Sequence, residues 1–215
     1  MSLWVKICGN TSFEDAMLAA DAGADAVGFV FATSPRQVTV DQVAIITSQL
    51  PSSIEKIGVF VDSNFDTIES SVRTCELTGV QLHTDRAAEL PMRLRESFGE
   101  RLRILRGLHY GADLSERVAE VAANERVDAI LIDSRTATAV GGTGTSFNWH
   151  GAEPIFSNAG TRLVVAGGLA PDNVAEAVRI LKPWGVDVVS GVESAPGRKD
   201  PDKVRAFVKN ARRMG

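Results

Sequence analysis

Short apolar runs rich in β-branched residues return at an even interval along this chain, and segments of helical period fill the gaps. The runs fall at 3–8 (LWVKIC), 26–31 (AVGFVF), 56–61 (KIGVFV), 79–83 (GVQLH), 102–107 (LRILRG), 127–133 (VDAILID), 162–167 (RLVVAG) and 186–190 (VDVVS). They lack clean alternation of apolar and polar residues, which suits parallel strands buried on both faces. Between them Phe13, Met17 and Ala20 recur at helical spacing, as do Phe65, Ile68, Val72 and Cys75, and Leu90, Leu94 and Phe98. Leu114, Val118 and Val121 follow, then Val174, Val178 and Leu181, then Val204, Phe207 and Ala211. A further helix is expected over 148–158. Thr11 with Glu14, and Thr39 with Gln42, match a capping box, and Pro171 and Pro201 stand where a first helical residue would.

Eight such repeats in 215 residues give about 27 residues each, close to the roughly 30 of a βαβ unit. The rhythm admits an open doubly wound sheet or a closed (β/α)8 barrel. An open dinucleotide-binding sheet carries G-x-G-x-x-G after its first strand, whereas this chain reads Cys8-Gly9-Asn10-Thr11 there. No linker or composition shift divides the sequence. The expectation is a single-domain (β/α)8 TIM barrel over residues 1–215.

Composition removes several function classes. Lys and Arg total 23 against 27 Asp and Glu, so no basic excess exists for a nucleic-acid partner. No apolar run reaches the roughly 18 residues of a membrane span. The start, Met1-Ser2-Leu3-Trp4-Val5-Lys6, lacks a signal peptide's apolar stretch, which predicts a cytoplasmic protein. Cys8 and Cys75 cannot form a disulfide framework, and no His, Cys, Asp or Glu set has metal-ligand spacing. Trp4, Trp149 and Trp184 are expected to pack, His109 and His150 to sit in surface loops, and Cys75 to fill a core position.

In a barrel the reactive groups stand at the C-terminal ends of the strands. Those ends offer three groups for proton transfer: Cys8, His83 and Asp133. Lys6 precedes Cys8 by two residues and so shares its strand face, where an ammonium beneath the thiol would favour the thiolate. Asp133 closes an uncharged run, Ala129-Ile130-Leu131-Ile132, and apolar surroundings favour a carboxyl's protonated form. A base and an acid on different strands could face two sides of one substrate. His83 suits a shuttle, a donor or a wall. Arg36, in Ser34-Pro35-Arg36, is either surface or a fork for a carboxylate.

Glycine is unevenly spread: of 19, ten lie between Gly141 and Gly197. Gly142, Thr143 and Gly144 follow the sixth run, Gly167 and Gly168 the seventh, and Ser190 and Gly191 the eighth. Three consecutive glycine loops predict a phosphate cradle of backbone N–H groups.

The blocks Lys6-Ile7-Cys8-Gly9, Gly28-Phe29-Val30-Phe31 with Ser34-Pro35-Arg36, Gly58-Val59-Phe60-Val61 and Val80-Gln81-Leu82-His83 stand in order. Leu131-Ile132-Asp133-Ser134 follows, with Gly141-Gly142-Thr143-Gly144, then Ala166-Gly167-Gly168-Leu169, then Ser190-Gly191-Val192-Glu193 with Pro196-Gly197 and Lys199-Asp200. In this series the chain resembles the phosphoribosylanthranilate isomerase family of tryptophan biosynthesis nearly end to end. The resemblance implies an Amadori rearrangement without a cofactor, acting on a small phosphoribosyl substrate, in a monomer or homodimer. By position it implies Asp133 as general acid, Cys8 as general base, Arg36 on the anthranilate carboxylate and the glycine loops on the phosphate. Thr145 stands where the family has a basic residue, Asn148 where it has Asp, and Thr84 where it has Gly; these bear on affinity rather than on the acid or base. The nearest rivals are the barrel isomerase of histidine biosynthesis with its dual-substrate forms, which use an aspartate as first-strand base, and a non-catalytic sugar-phosphate sensor.

Overall fold

The computed structural model describes residues 2–83, 89–123, 126–134 and 147–213. Strands and helices alternate as β1 (Trp4–Ile7), α1 (Phe13–Asp21), β2 (Ala26–Val30), α2 (Val40–Thr47), β3 (Glu55–Val61), α3 (Phe65–Thr74), β4 (Gly79–His83) and α4 (Glu89–Phe98). They continue as β5 (Arg103–His109), α5 (Leu114–Ala122), β6 (Ala129–Asp133), α6 (Trp149–Asn158), β7 (Leu163–Ala166), α7 (Val174–Leu181), β8 (Gly185–Val188) and α8 (Pro201–Arg212). Each strand pairs in parallel with the next, and β1 closes the ring on β8 with Trp4 opposite Gly185 and Lys6 opposite Asp187. The expected (β/α)8 barrel is the observed architecture.

The two faces of every strand are buried for different reasons. Trp4, Ala26, Ile57, Leu105, Leu131 and Val164 point inward and fill the barrel's lower layers. Val5, Ile7, Phe29, Leu82, Ile104 and Ile132 point outward and pack beneath the helices. That is why the runs show no period of two. Full burial of each Val, Leu, Ile or Phe among them stabilises by about 1.5–3 kcal/mol. At the bottom Trp4 stacks on Trp184 with ring centroids 5.1 Å apart, and Arg103 lies over Trp184 while its fork grips Glu55 at 2.7 and 2.9 Å.

Local signals hold in the structure where the chain's own neighbours decide them. Thr39 and Gln42 form the reciprocal capping box of α2, and Pro201 opens α8. Two start signals shift because distant groups compete for them. Ser12, not Thr11, caps α1, accepting from the Asp15 amide; the Thr11 hydroxyl instead donates to the Gly197 carbonyl at 2.7 Å. Pro171 lies in a turn ahead of α7, where Asn173 accepts from the Ala170 amide and donates to the Gly168 carbonyl. Asn148 caps α6 by accepting from Gly151 at 3.1 Å, a task Asp would also perform. Cys75 is buried at the end of α3, its thiol directed at the Val40 carbonyl, and burial pushes it up to about 11.

Candidate active site

Lys6 and Cys8 rise along the inner face of β1 and its extension, where the Cys8 amide continues the ladder by donating to Val188 at 2.8 Å. Gly28 on β2 is what gives them room. A Cβ at Gly28 would come within 2.5 Å of Cys8 Sγ and 2.9 Å of Lys6 Cε. Gly28→Ala is therefore expected to destabilise the fold by about 1–3 kcal/mol, the usual cost of overpacking, and to displace the thiol. An unchanged denaturation midpoint would contradict this.

Lys6 is fully buried, and its ammonium donates to Gln81 Oε1 at 2.8 Å and Asp187 Oδ1 at 2.9 Å. Burial by itself would lower the Lys6 pKa, but Asp187 and Cys8 outweigh it and hold it above the usual value. With Gln81 Oε1 occupied, the amide's Nε2 faces His83 Nε2 at 2.8 Å, so the ring nitrogen accepts. Asp187, Lys6, Gln81 and His83 thus form one hydrogen-bonded chain across the barrel. Gly107 makes space for the His83 ring, which a Cβ there would strike. The ammonium expected beneath the thiol is present, but it does not win. Burial pushes the Cys8 thiol up and Asp187 adds to it, against the opposing pull of Lys6 and Lys199.

Arg36 follows β2 and is nearly buried, beside the turn at Gly9, whose φ of +75° suits glycine. A side chain there would meet Arg36 Cδ at 2.9 Å. The Nε edge of Arg36 is engaged: Nε donates to Glu193 Oε1 at 2.8 Å and Nη2 to Oε2 at 2.6 Å. A guanidinium has five donors in a rigid fork. The terminal Nη1 and the second proton of Nη2 make no bond to any described residue.

Asp133 ends β6 facing inward, three strands from β1 round the ring. Its Oδ1 lies 2.5 Å from where a Cβ on Gly167 would stand, and Gly167 has φ +79°. The acid candidate therefore packs directly on the first glycine of the loop after β7. That loop touches the next through backbone: Gly191, in the 3-10 turn Ser190–Val192, lies so close to the Leu169 carbonyl that any Cβ would collide. The amide N–H groups of Gly168 and Gly191 meet no acceptor among the described residues. Gly167, Gly168, Ser190 and Gly191 are thus brought together, whereas Gly142, Thr143, Gly144 and the substitutions Thr84 and Thr145 lie outside the described residues.

His109 differs from expectation. Strand β5 runs two residues beyond the expected end at 107, so His109 is not loop surface. It pairs in register with Asp133, its ring 6.1 Å from that of His83, with Nδ1 buried and unpartnered. The missed signal was the period of two that carries the inward face from Gly107 to His109. Gln81, Asp187, Glu193 and Lys199 were read only as parts of motifs. Their charge or amide on buried strand faces and turns was the available clue. Among the described residues no group of three or more His, Cys, Asp or Glu could hold a metal ion, and no helix is long and apolar enough to cross a membrane.

The family profile described as N-(5'phosphoribosyl)anthranilate (PRA) isomerase matches residues 5–210. An N-(5'-phosphoribosyl)anthranilate isomerase from Pelobacter propionicus is 45% identical over 209 residues, covering 97% of this chain and 95% of the relative. The phosphoribosyl anthranilate isomerase of Thermotoga maritima superposes with a TM-score of 0.87 at 35% identity, covering 97% of this chain and 98% of that one. A third, a phosphoribosyl anthranilate isomerase in complex with reduced 1-(o-carboxyphenylamino)-1-deoxyribulose 5-phosphate, superposes at 0.83 with 34% identity and coverage of 97% and 98%. By sequence along nearly its whole length, and by fold, the chain belongs to the N-(5'-phosphoribosyl)anthranilate isomerase family, isomerases of tryptophan biosynthesis.

Proposed function

We propose that this isomerase carries out its Amadori rearrangement with Asp133 as acid and Cys8 as base, on N-(5'-phosphoribosyl)anthranilate, to give 1-(2-carboxyphenylamino)-1-deoxyribulose 5-phosphate. The observation that carries the assignment is the placement of a carboxyl and a thiol on separate strand ends inside one closed barrel, with Arg36 packed against Gly9, the residue that follows Cys8. Asp133 gives its proton to the ribose ring oxygen as the C1–O bond breaks, and the anilino nitrogen's lone pair forms the iminium. Cys8, as thiolate, takes the proton from C2, and the electron pair of that C–H bond neutralises the iminium to an enolamine. Tautomerisation yields the ketone. The thiolate's weak population is offset by its strength, since a base of raised pKa abstracts protons more readily once ionised.

The terminal edge of Arg36 receives the anthranilate carboxylate, and the backbone amides of Gly168 and Gly191, with Gly167 and Ser190, form part of the phosphate cradle. Gly142, Thr143 and Gly144 are assigned to the phosphate from their sequence alone, and His83 to the wall. Arg36→Ala is expected to raise KM by about 10- to 100-fold, the value of a charge-assisted hydrogen bond, with kcat little changed. A carboxylate remote from the reacting carbons is held alike in ground and transition states. A large kcat loss at constant KM would contradict it. The function is tested by generating phosphoribosylanthranilate in situ and following loss of its fluorescence with purified protein. The histidine-pathway substrate is run in parallel. Binding without turnover would indicate a sensor, and preference for the second substrate would overturn the reading.

A further inference from the structure

Glu193 is 157 residues from Arg36 in sequence, yet its carboxylate takes both donors of the Nε edge. It is itself held from three sides. Glu193 Oε1 accepts from the Gly197 amide at 3.2 Å and from Lys199 Nζ at 3.3 Å, and Lys199 in turn donates to the Cys8 carbonyl at 2.6 Å. The holding groups lie on a short hairpin, β9 (Glu193–Ala195) with β10 (Arg198–Lys199), which Thr11 also ties through Gly197. Glu193, Lys199 and Arg36 are all at most 9% exposed. The cluster sets two cations against one anion and so carries a net positive charge. Burial opposes ionisation of Glu193, but its bonds to Arg36 and the charge of Lys199 hold the carboxyl below its usual value.

Such a cluster is costly to bury and is weak evidence for stability alone. It does fix geometry. A guanidinium on a flexible side chain would sweep a wide arc; here its plane is set, and only the terminal edge is left to a ligand. Through Lys199 the same cluster grips the backbone of Cys8. The distance between the carboxylate anchor and the thiol is therefore set by one rigid group of charges.

We propose that Glu193 is a positioning residue for substrate specificity: with Lys199 it presents the terminal edge of Arg36 to the substrate's aromatic carboxylate at a fixed distance from Cys8. This rests on the reading that Arg36 binds that carboxylate. The test compares two ligands on each variant: reduced 1-(o-carboxyphenylamino)-1-deoxyribulose 5-phosphate and its anilino counterpart lacking the carboxyl group. Calorimetry gives the affinity ratio between them. Glu193→Gln keeps the side chain's size but turns one acceptor into a donor against the guanidinium. It is expected to reduce the ratio by about tenfold or more, the loss of a charge-assisted bond, while the anilino ligand binds as in the parent protein. Glu193→Asp, which keeps the charge and draws the carboxylate back, carries the same comparison if Glu193→Gln does not fold. Arg36→Ala is the control. If it leaves the ratio unchanged, the reading of Arg36 fails. If Arg36→Ala collapses the ratio and neither Glu193 variant reduces it, the inference about Glu193 is overturned. An equal loss for both ligands in the Glu193 variants would show a structural role only, and overturn it too.

Discussion

Asp133→Asn and Cys8→Ser are each expected to lower kcat by about 10²- to 10⁴-fold, the range for losing one acid–base group. Asparagine keeps the shape of Asp133 against Gly167 but has no proton to give to the ring oxygen. Serine keeps a donor in place of the thiol, yet its hydroxyl ionises far less readily than a thiol. Steady-state turnover with purified variants is the measurement, and near-parental kcat in either would remove the role assigned to that residue. The pH profile supplies an independent check. Because burial raises the Cys8 thiol, its ionised fraction is small near neutrality and grows as pH rises. A base acts when deprotonated, so kcat/KM should climb with pH through the range where Cys8 ionises, and that limb should vanish in Cys8→Ser. A profile falling as Cys8 deprotonates would contradict its role as base.

Asp187→Ala is expected to destabilise the barrel by about 3–5 kcal/mol, the usual cost of leaving one member of a buried ion pair alone. Lys6 has no exposed side-chain surface, and Asp187 is its one carboxylate partner among the described residues. The companion variant separates charge from packing. Lys6→Met with Asp187→Leu removes both charges and fills much of the volume, so most of the stability should return. Activity should not, because the thiolate at Cys8 would lose the cation that favours it. Denaturant unfolding measures the first effect and turnover the second. A cost below about 1 kcal/mol for Asp187→Ala, the scale of an exposed pair, would show that Lys6 is not trapped as the ammonium.

The strand rhythm was legible because it is written in local order. An apolar run of β-branched residues buried on both faces leaves its mark wherever the chain folds, and the eight runs became the eight staves. The capping box at Thr39 and Gln42 was equally local. Thr11 and Pro171 depart from their local signals because their fate depends on partners elsewhere: Gly197 draws the Thr11 hydroxyl, and Asn173 organises the turn that holds Pro171. His109 differs in kind: the period of two continues to it from Gly107, and its pairing with Asp133 marks it as the last residue of β5.

The candidate site divides along the same line. That Cys8, His83 and Asp133 stand at strand ends follows from sequence order once a barrel is inferred, since all strands of a parallel barrel end at one rim. The sequence also concentrated glycine in the later loops, and the backbone uses Gly167 and Gly191 for close approach. What the order of residues did not contain was the company these groups keep. Lys6 meets Asp187 across 181 positions, and Arg36 meets Glu193 across 157. The lysine was expected to favour the thiolate, and it does, but the net direction at Cys8 is upward. That direction is a balance between burial and several charges, each falling off with distance through space. Separation along the chain says nothing about such distances; closure of β1 onto β8 is what sets them.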